Sequence, residues 1–327
     1  MYLIKEQPED FIVEENLELE TDSNGDYVYF VLKKKNWTTL AALEAISKKL
    51  HVPMKRFTIA GIKDKNAITL QHVAGFKIAA EKLASLRIPG ITITVLGRGT
   101  ERMKLGQHAG NTFTITVRNL EQKYEPISFV ENYFDDQRFS GRNHLLGRAL
   151  TKNEWTKVLV MLRITEEGNP IALLRKHVSK KMLTFYLNAY QSYLWNEAVH
   201  TYIKNHVKKT WTVDYQCGEL MFSKEKMSNA IVPLLGYLIQ FRDPEFKIIY
   251  ENLMEHEGIT LDAFTFRSMP ELRSEGNERN MIIELGTISC TYSKDERHKG
   301  KTKCVMNFTL PSGSYATMII KKMFSQN

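Results

Sequence analysis

The sequence predicts an α+β protein in which strand-rich ends flank a helical middle, the pattern of one α+β domain interrupted by an insertion. Three observations carry this reading. Period-two alternation of apolar residues recurs through the first 120 residues and again between Cys304 and Leu310. Between Leu187 and Ile203 the period becomes helical. A length of 327 residues is enough for about two domains, each with its own core.

In chain order, Tyr27–Leu32 (YVYFVL) is rich in aromatic and β-branched residues and predicts a strand buried on both sides. Leu40, Leu43, Ile46 and Leu50 fall at helical spacing behind Thr39 as N-cap, and Pro53 stops that helix. Ile91–Leu96 alternates as a strand. Thr112–Arg118 alternates more cleanly, placing Phe113, Ile115 and Val117 on one face. In the middle, apolar residues at 187, 190, 194, 195, 198, 199, 202 and 203 make a helical stripe, within which Gln191 needs a buried hydrogen-bond partner. Cys304, Met306, Phe308 and Leu310 share a strand face. Pro311-Ser312-Gly313 then turns the chain, and Ser314 caps a helix predicted over 315–324.

Composition narrows the function classes. No stretch approaches the roughly 20 apolar residues of a membrane span, and MYLIKEQPED does not read as a secretory signal. Cys217, Cys290 and Cys304 are far apart, with no C-x-x-C pair, and the nine histidines include no H-E-x-x-H. Neither a metal site nor a disulfide framework is expected, and a cytoplasmic location is the simplest expectation. The net charge of +8 points to a polyanionic partner. Residues 1–60 carry eight Lys/Arg against ten Asp/Glu, residues 61–120 nine against three, and residues 291–327 seven against two. Within the last segment, Lys294–Lys303 (KDERHKGKTK) reads either as a mobile basic hairpin loop that touches phosphates or as an ordinary soluble loop.

The densest chemical candidate is Ala60-Gly61-Ile62-Lys63-Asp64-Lys65-Asn66-Ala67. The cations beside Asp64 favour its ionised form, and a positioned carboxylate can act as nucleophile or general base. The bland alternative is a charged turn. Phe113, after Gly110-Asn111-Thr112, can stack on an extruded base or belong to the core. Asn132-Tyr133-Phe134-Asp135-Asp136-Gln137-Arg138-Phe139 mixes aromatics with amide and guanidinium groups, as nucleotide recognition requires, or is a helix end with its solvated rim. No phosphate-loop spacing is present, and Gly97-Arg98-Gly99 with Gly106 does not make a dinucleotide fingerprint.

Taken in order, these segments resemble the TruD family of tRNA pseudouridine synthases. The likeness begins at Lys5 and Pro8–Glu15, continues through Ala60–Thr69, Gly110–Thr114, Asn132–Ser140 and Ala189–Asn196, and closes at Leu310–Thr317. The family pattern has glycine where Asp135 and Ser140 stand, and often arginine and glutamate where this chain has Lys321 and Lys322. The resemblance implies a catalytic domain with a mixed, largely antiparallel sheet (residues 1–140 and 266–327) and an α/β insertion domain (141–265). It implies isomerisation of uridine to pseudouridine in tRNA, most simply at position 13, by a monomer with no metal or organic cofactor. Asp64 would be the essential carboxylate. Phe113 would stack on the flipped uracil, Asn111 would hold its edge, and Lys5 would be an electrostatic partner of Asp64 or of a phosphate. Gln137 and Arg138 complete the expected substrate-binding set. A non-catalytic RNA-binding or RNA-folding protein on the same fold is the alternative; an RNA methyltransferase would need a glycine-rich cofactor loop that is missing here.

Overall fold

Strand β2 (Tyr27–Lys35) lies one strand in from the edge of an eight-stranded sheet, hydrogen-bonded on one side to β4 (Ile68–Phe76) and on the other to the edge strand β5 (Ile91–Gly99). The computed structural model describes residues 1–326. The remaining strands of this sheet are β1 (Phe11–Asn16), β3 (Phe57–Ile59), β6 (Gly110–Leu120) and the two strands of a C-terminal hairpin, Ser289–Lys294 and Thr302–Pro311. From one edge the order is Ser289–Lys294, Thr302–Pro311, β6, β1, β4, β2, β5, with β3 added to β4. Only β1 and β4 run parallel, so the sheet is mixed and largely antiparallel, as expected.

The alternation along β2 decides where its side chains go. Val28, Phe30 and Leu32 point to the face covered by helix α1 (Thr39–Leu50), where they pack with Ala42, Leu43, Ile46, Phe57 and Val73. Tyr29 packs on the other face with Ala74 and Met103, so the strand is buried on both sides. Lys34 continues the first parity and is fully buried. The N-cap of α1 is Thr38, whose hydroxyl accepts from Ala41 N, and not Thr39. The Thr39 hydroxyl instead donates to Gln71 Oε1 and accepts from Lys63 N.

Register also sets the opposite end of the sheet. Phe11 faces Ile115, Val13 faces Phe113 and Glu15 faces Asn111 across β1 and β6. On the other side of β6, Met306, Phe308 and Leu310 face Ile115, Phe113 and Asn111. The predicted faces 113/115/117 and 304/306/308/310 are therefore one continuous buried surface.

Hydrogen bonds and ion pairs within the protein hold the loop 294–303. Asp295 is buried and accepts from Arg118 Nη1 (3.0 Å) and Asn119 N (2.9 Å). His298 bonds to Glu6, Lys301 to Glu121 and Lys303 to Glu296. Arg118 also grips Asp10 through Nε and Nη2, which ties the loop to the start of β1.

Two compact units emerge: residues 1–128 with 285–316, and residues 129–284 with the described residues from Thr317 onward. The stretches 129–140, 266–284 and the described residues from 317 onward, expected with the first domain, thus fall in the second unit. Phe129–Glu131 forms an antiparallel ladder with Ile282–Glu284, and Glu131, Tyr133 and Phe134 bond to Ser223, Met221 and Asn196 of that unit.

The second unit is built on the helix Lys180–His206, capped by the Ser179 side chain accepting from Met182 N. It contains the predicted stripe, and Gln191 finds its partners in Leu235 O and Ser274 Oγ. The closing helix runs Ala316–Phe324, one residue shorter at its start than expected. No helix among the described residues is long and apolar enough to cross a membrane.

The helix Asn143–Thr151 crosses the long helix at Gly147, where an added Cβ would lie 2.1 Å from Tyr186 O and 2.7 Å from Tyr190 Cβ. Backbone cannot yield as a side-chain tip can. Gly147→Ala is therefore expected to destabilise the second unit by about 1–3 kcal/mol, read as a lowered midpoint in urea unfolding. An unchanged midpoint would mean that the crossing opens freely.

Candidate active site

The segment 60–67 joins β3 to β4 and lies outside the ladder, so side chains must satisfy its polar backbone groups. Lys63 N donates to Thr39 Oγ1 at 2.9 Å, and Gln71 Nε2 donates to Gly61 O at 3.2 Å. From below, Lys34 Nζ donates to Trp37 O (2.7 Å), Lys63 O (3.4 Å) and Asp64 O (2.6 Å). Lys63 Nζ turns inward and meets Glu15 Oε1 at 2.7 Å, with both side chains buried. The second Glu15 oxygen accepts from His72 N at 2.9 Å. Gly61 lies close to two side chains: a Cβ there would stand 3.3 Å from His108 Cε1 and 3.5 Å from Lys63 Nζ.

On this base the Asp64 carboxylate meets Lys5 Nζ at 2.8 Å, the two side chains being 24% and 26% exposed. The pair is therefore open to a ligand yet held on one side. Lys5 has φ +58°, a left-handed conformation uncommon for a non-glycine residue, which orients its side chain at a local backbone cost. The same ammonium lies 4.0 Å from the centroid of the Phe11 ring, within cation–π range. Phe11 in turn meets Phe113 edge-on at 6.2 Å, and Phe113 stacks on Phe308 at 5.5 Å. A continuous line of contact thus runs from carboxylate to ammonium to three aromatic rings. Phe113 itself is only 7% exposed. Two residues before it on the same face, Asn111 Oδ1 is buried with no hydrogen-bond partner among the described residues.

The electrostatics follow from this packing. Burial pushes the Glu15 carboxyl up, but hydrogen bonds from His72 and Lys63 outweigh it and bring the pKa down to about 2. Burial lowers Lys34 to about 8, with Asp64 opposing the change and Lys63 adding to it. His108 is held below the usual histidine range by burial and by Lys63; its Nε2 pairs with Ser312 Oγ at 3.1 Å.

The structure therefore brings Lys5, Asp64, Asn111 and Phe113 together in the first unit. Gln137 and Arg138 lie in the second, on the short helix Asp136–Phe139. Gln137 is exposed, while Arg138 Nε donates to Ser192 Oγ at 3.0 Å and its guanidinium covers the Phe134 ring at 5.5 Å. Sequence reasoning missed Lys34, Thr39, Gln71 and Glu15, which build the platform. A signal existed for two of them: Lys34 shares the parity of Val28, Phe30 and Leu32, and Glu15 that of Phe11 and Val13.

The sequence profile of the tRNA pseudouridine synthase D (TruD) family matches residues 2–171 and 205–323. The tRNA pseudouridine synthase D of Aquifex aeolicus (strain VF5) is 28% identical, the match covering 98% of this chain and 97% of that protein. A Methanosarcina mazei protein named "Probable tRNA pseudouridine synthase D" is 26% identical over 99% of this chain and 93% of its own length. A crystal structure from Methanosarcina mazei, described under the same TruD name, superposes with a TM-score of 0.72 at 24% identity. It covers 99% of this chain and 93% of its own, and supports the α+β fold.

The Glu15–Lys63 pair generates a test of the platform. Glu15→Gln leaves the Lys63 ammonium buried without its counter-charge and is expected to cost about 3 kcal/mol at neutral pH. Because the folded Glu15 pKa is depressed from 4.5 to about 2, its contribution is complete above 4.5 and fades as pH falls toward 2. Urea titrations across that window should show the gap between wild type and variant closing as the pH drops. A gap that stays constant with pH would show that Glu15 acts through packing alone.

Proposed function

Because the chain belongs to the tRNA pseudouridine synthase D family, we propose that it isomerises uridine to pseudouridine in tRNA, at position 13, with Asp64 as the essential carboxylate. The observation that carries this reading is the Lys5–Asp64 pair: a partly exposed carboxylate, in contact with an ammonium, on a loop whose backbone is clamped from beneath.

The reaction asks for little else. The bond from C1′ to uracil N1 breaks, the uracil turns in place, and a bond from C1′ to C5 forms. The proton leaves C5, N1 gains one, and no electron is gained or lost overall. Asp64 can serve by attacking C1′ or by removing a sugar proton, and both roles require a fixed, ionised carboxylate within reach of the ribose. Lys5 supports the ionised form by direct contact.

A uridine inside a folded tRNA reaches this carboxylate only after leaving its stack, at a cost of a few kcal/mol. Asn111 Oδ1, buried and unpaired among the described residues, offers an acceptor to the uracil N3–H, a demand that the reaction leaves unchanged. Phe113, backed by Phe308, is the aromatic ring assigned to support the base. Gln137 and Arg138 belong to the substrate-binding set of the second unit.

Asp64→Asn keeps the shape of the loop and removes the charge. It should abolish pseudouridine formation on an unmodified tRNA transcript while tRNA affinity stays within about threefold, since phosphate contacts dominate that affinity. Mapping the product at single-nucleotide resolution, wild type beside variant, tests reaction, residue and position together. Turnover by Asp64→Asn near the wild-type rate would remove Asp64 from its role, and a wild-type signal elsewhere in tRNA would correct the position.

A further inference from the structure

We propose that Lys34 is a positioning residue for this reaction: its buried ammonium clamps the two carbonyls that flank the Asp64 Cα and sets a positive field beneath the Asp64 carboxylate. The proposal rests on the reading of Asp64 as the essential carboxylate.

The geometry is specific. An ammonium has three donors, and Lys34 Nζ spends them on Trp37 O at 2.7 Å, Lys63 O at 3.4 Å and Asp64 O at 2.6 Å. The Lys63 and Asp64 carbonyls bracket the Asp64 Cα, so gripping both restricts the two backbone dihedrals that aim its side chain. The Trp37 carbonyl ties the same group to the turn that leads into α1, an element fixed by the core. Lys34 is fully buried, at the end of the apolar row Val28, Phe30 and Leu32, where a methionine would fill the same space without the desolvation cost of a charge. A cation kept at such a position is explained by what its charge and its donors do for the loop above it.

The charged groups facing Lys34 are Asp64 and Lys63 from the loop; beyond them, Lys5 contacts Asp64 and Glu15 neutralises Lys63. Burial brings Lys34 down to about 8, so its charge is present at neutral pH and is lost as the pH rises through that value.

The test is single-turnover pseudouridine formation, with tRNA affinity measured alongside, for wild type, Lys34→Met, Lys34→Arg and Asp64→Asn across the pH range. Lys34→Met is expected to slow the chemical step about 100-fold while changing tRNA affinity by less than about threefold. Its acid limb should move to higher pH, because the carboxylate has lost a neighbouring cation. The wild-type rate should fall with one proton as pH rises through about 8, and Lys34→Arg, whose guanidinium does not titrate there, should lack that limb. A Lys34→Met enzyme within threefold of wild type and with an unmoved acid limb overturns the proposal. If Lys34→Met does not fold, Lys34→Gln, which keeps an amide donor without the charge, decides, and a Lys34→Gln enzyme within threefold of wild type overturns the proposal. Activity retained by Asp64→Asn would instead overturn the reading of Asp64; loss there with a normal Lys34→Met enzyme would overturn only the role of Lys34.

Discussion

The segment that carries Asp64 leaves the sheet without a ladder partner, and its conformation depends on buried polar side chains rising from beneath it. An orphaned buried carbonyl costs about 1–3 kcal/mol. Lys34, Thr39 and Gln71 between them satisfy the Gly61, Lys63 and Asp64 backbone groups. Glu15 then neutralises Lys63 and also accepts from His72 N, so one carboxylate joins the loop to β4. Replacing these groups by apolar ones would remove the desolvation cost and leave the loop free to choose another shape. Polar burial at this point secures a single geometry and contributes little net stability.

The same reasoning changes how the basic character of the chain is understood. A segment with seven cations against two acids looks like a phosphate-binding surface when it is counted alone. In the folded chain Lys301 and Lys303 have acidic partners, and Arg297 and His298 both approach Glu6. Lys321, half-buried, and Lys322, buried, have ion pairs of their own. Charge that is already neutralised within the protein attracts little RNA, since each phosphate contact draws its affinity from an uncompensated cation. Lys294 and Lys299 are the residues of that segment for which no such acidic partner appears among the described contacts.

Periodicity made most of the fold legible before any coordinates. The stripe from Leu187 to Ile203, the paired faces at 113–117 and 304–310, and the doubly buried β2 all follow from apolar spacing, because burial on a helix or strand is itself periodic. What stayed hidden was pairing between distant residues. Thr38 and Thr39 offer the same hydroxyl to a cap, and only the position of Gln71 and of the Lys63 amide decides which one is free for the site. Lys34 and Glu15 sit in apolar parity but read as polar strand ends, since the partners that tie them to the 60–67 loop lie 29 or more residues away. The division at 128/129 depends on a ladder between Phe129–Glu131 and Ile282–Glu284, which no local pattern announces. Asp64 and Lys5 were legible as a set through the resemblance, which left Lys5 to pair either with Asp64 or with a phosphate; the 2.8 Å contact is the first of these.

The departure at Asp135 has a physical explanation in the closing helix. Asp135, where the family pattern has glycine, has φ −95°, a conformation open to any residue, so the backbone here does not need glycine. Its carboxylate accepts from Lys321 Nζ at 2.7 Å and from Thr317 Oγ1, and Lys321 also reaches Asp136 at 2.8 Å. Burial lowers the Lys321 pKa, yet Asp135 and Asp136 together outweigh it and the net shift is upward. The neighbouring Glu131–Lys322 pair behaves differently. Burial dominates both partners, raising the carboxyl and lowering the amine to about 8 despite a 2.9 Å contact. One lysine is thus held charged by two acids, and the next is held in place at a cost. Removing Asp135 alone would leave the half-buried Lys321 beside a single, half-exposed Asp136, so the change at 135 and the lysine at 321 stand or fall together. That coupling holds the start of the Asp136–Phe139 helix, and with it the direction in which Gln137 and Arg138 leave the backbone.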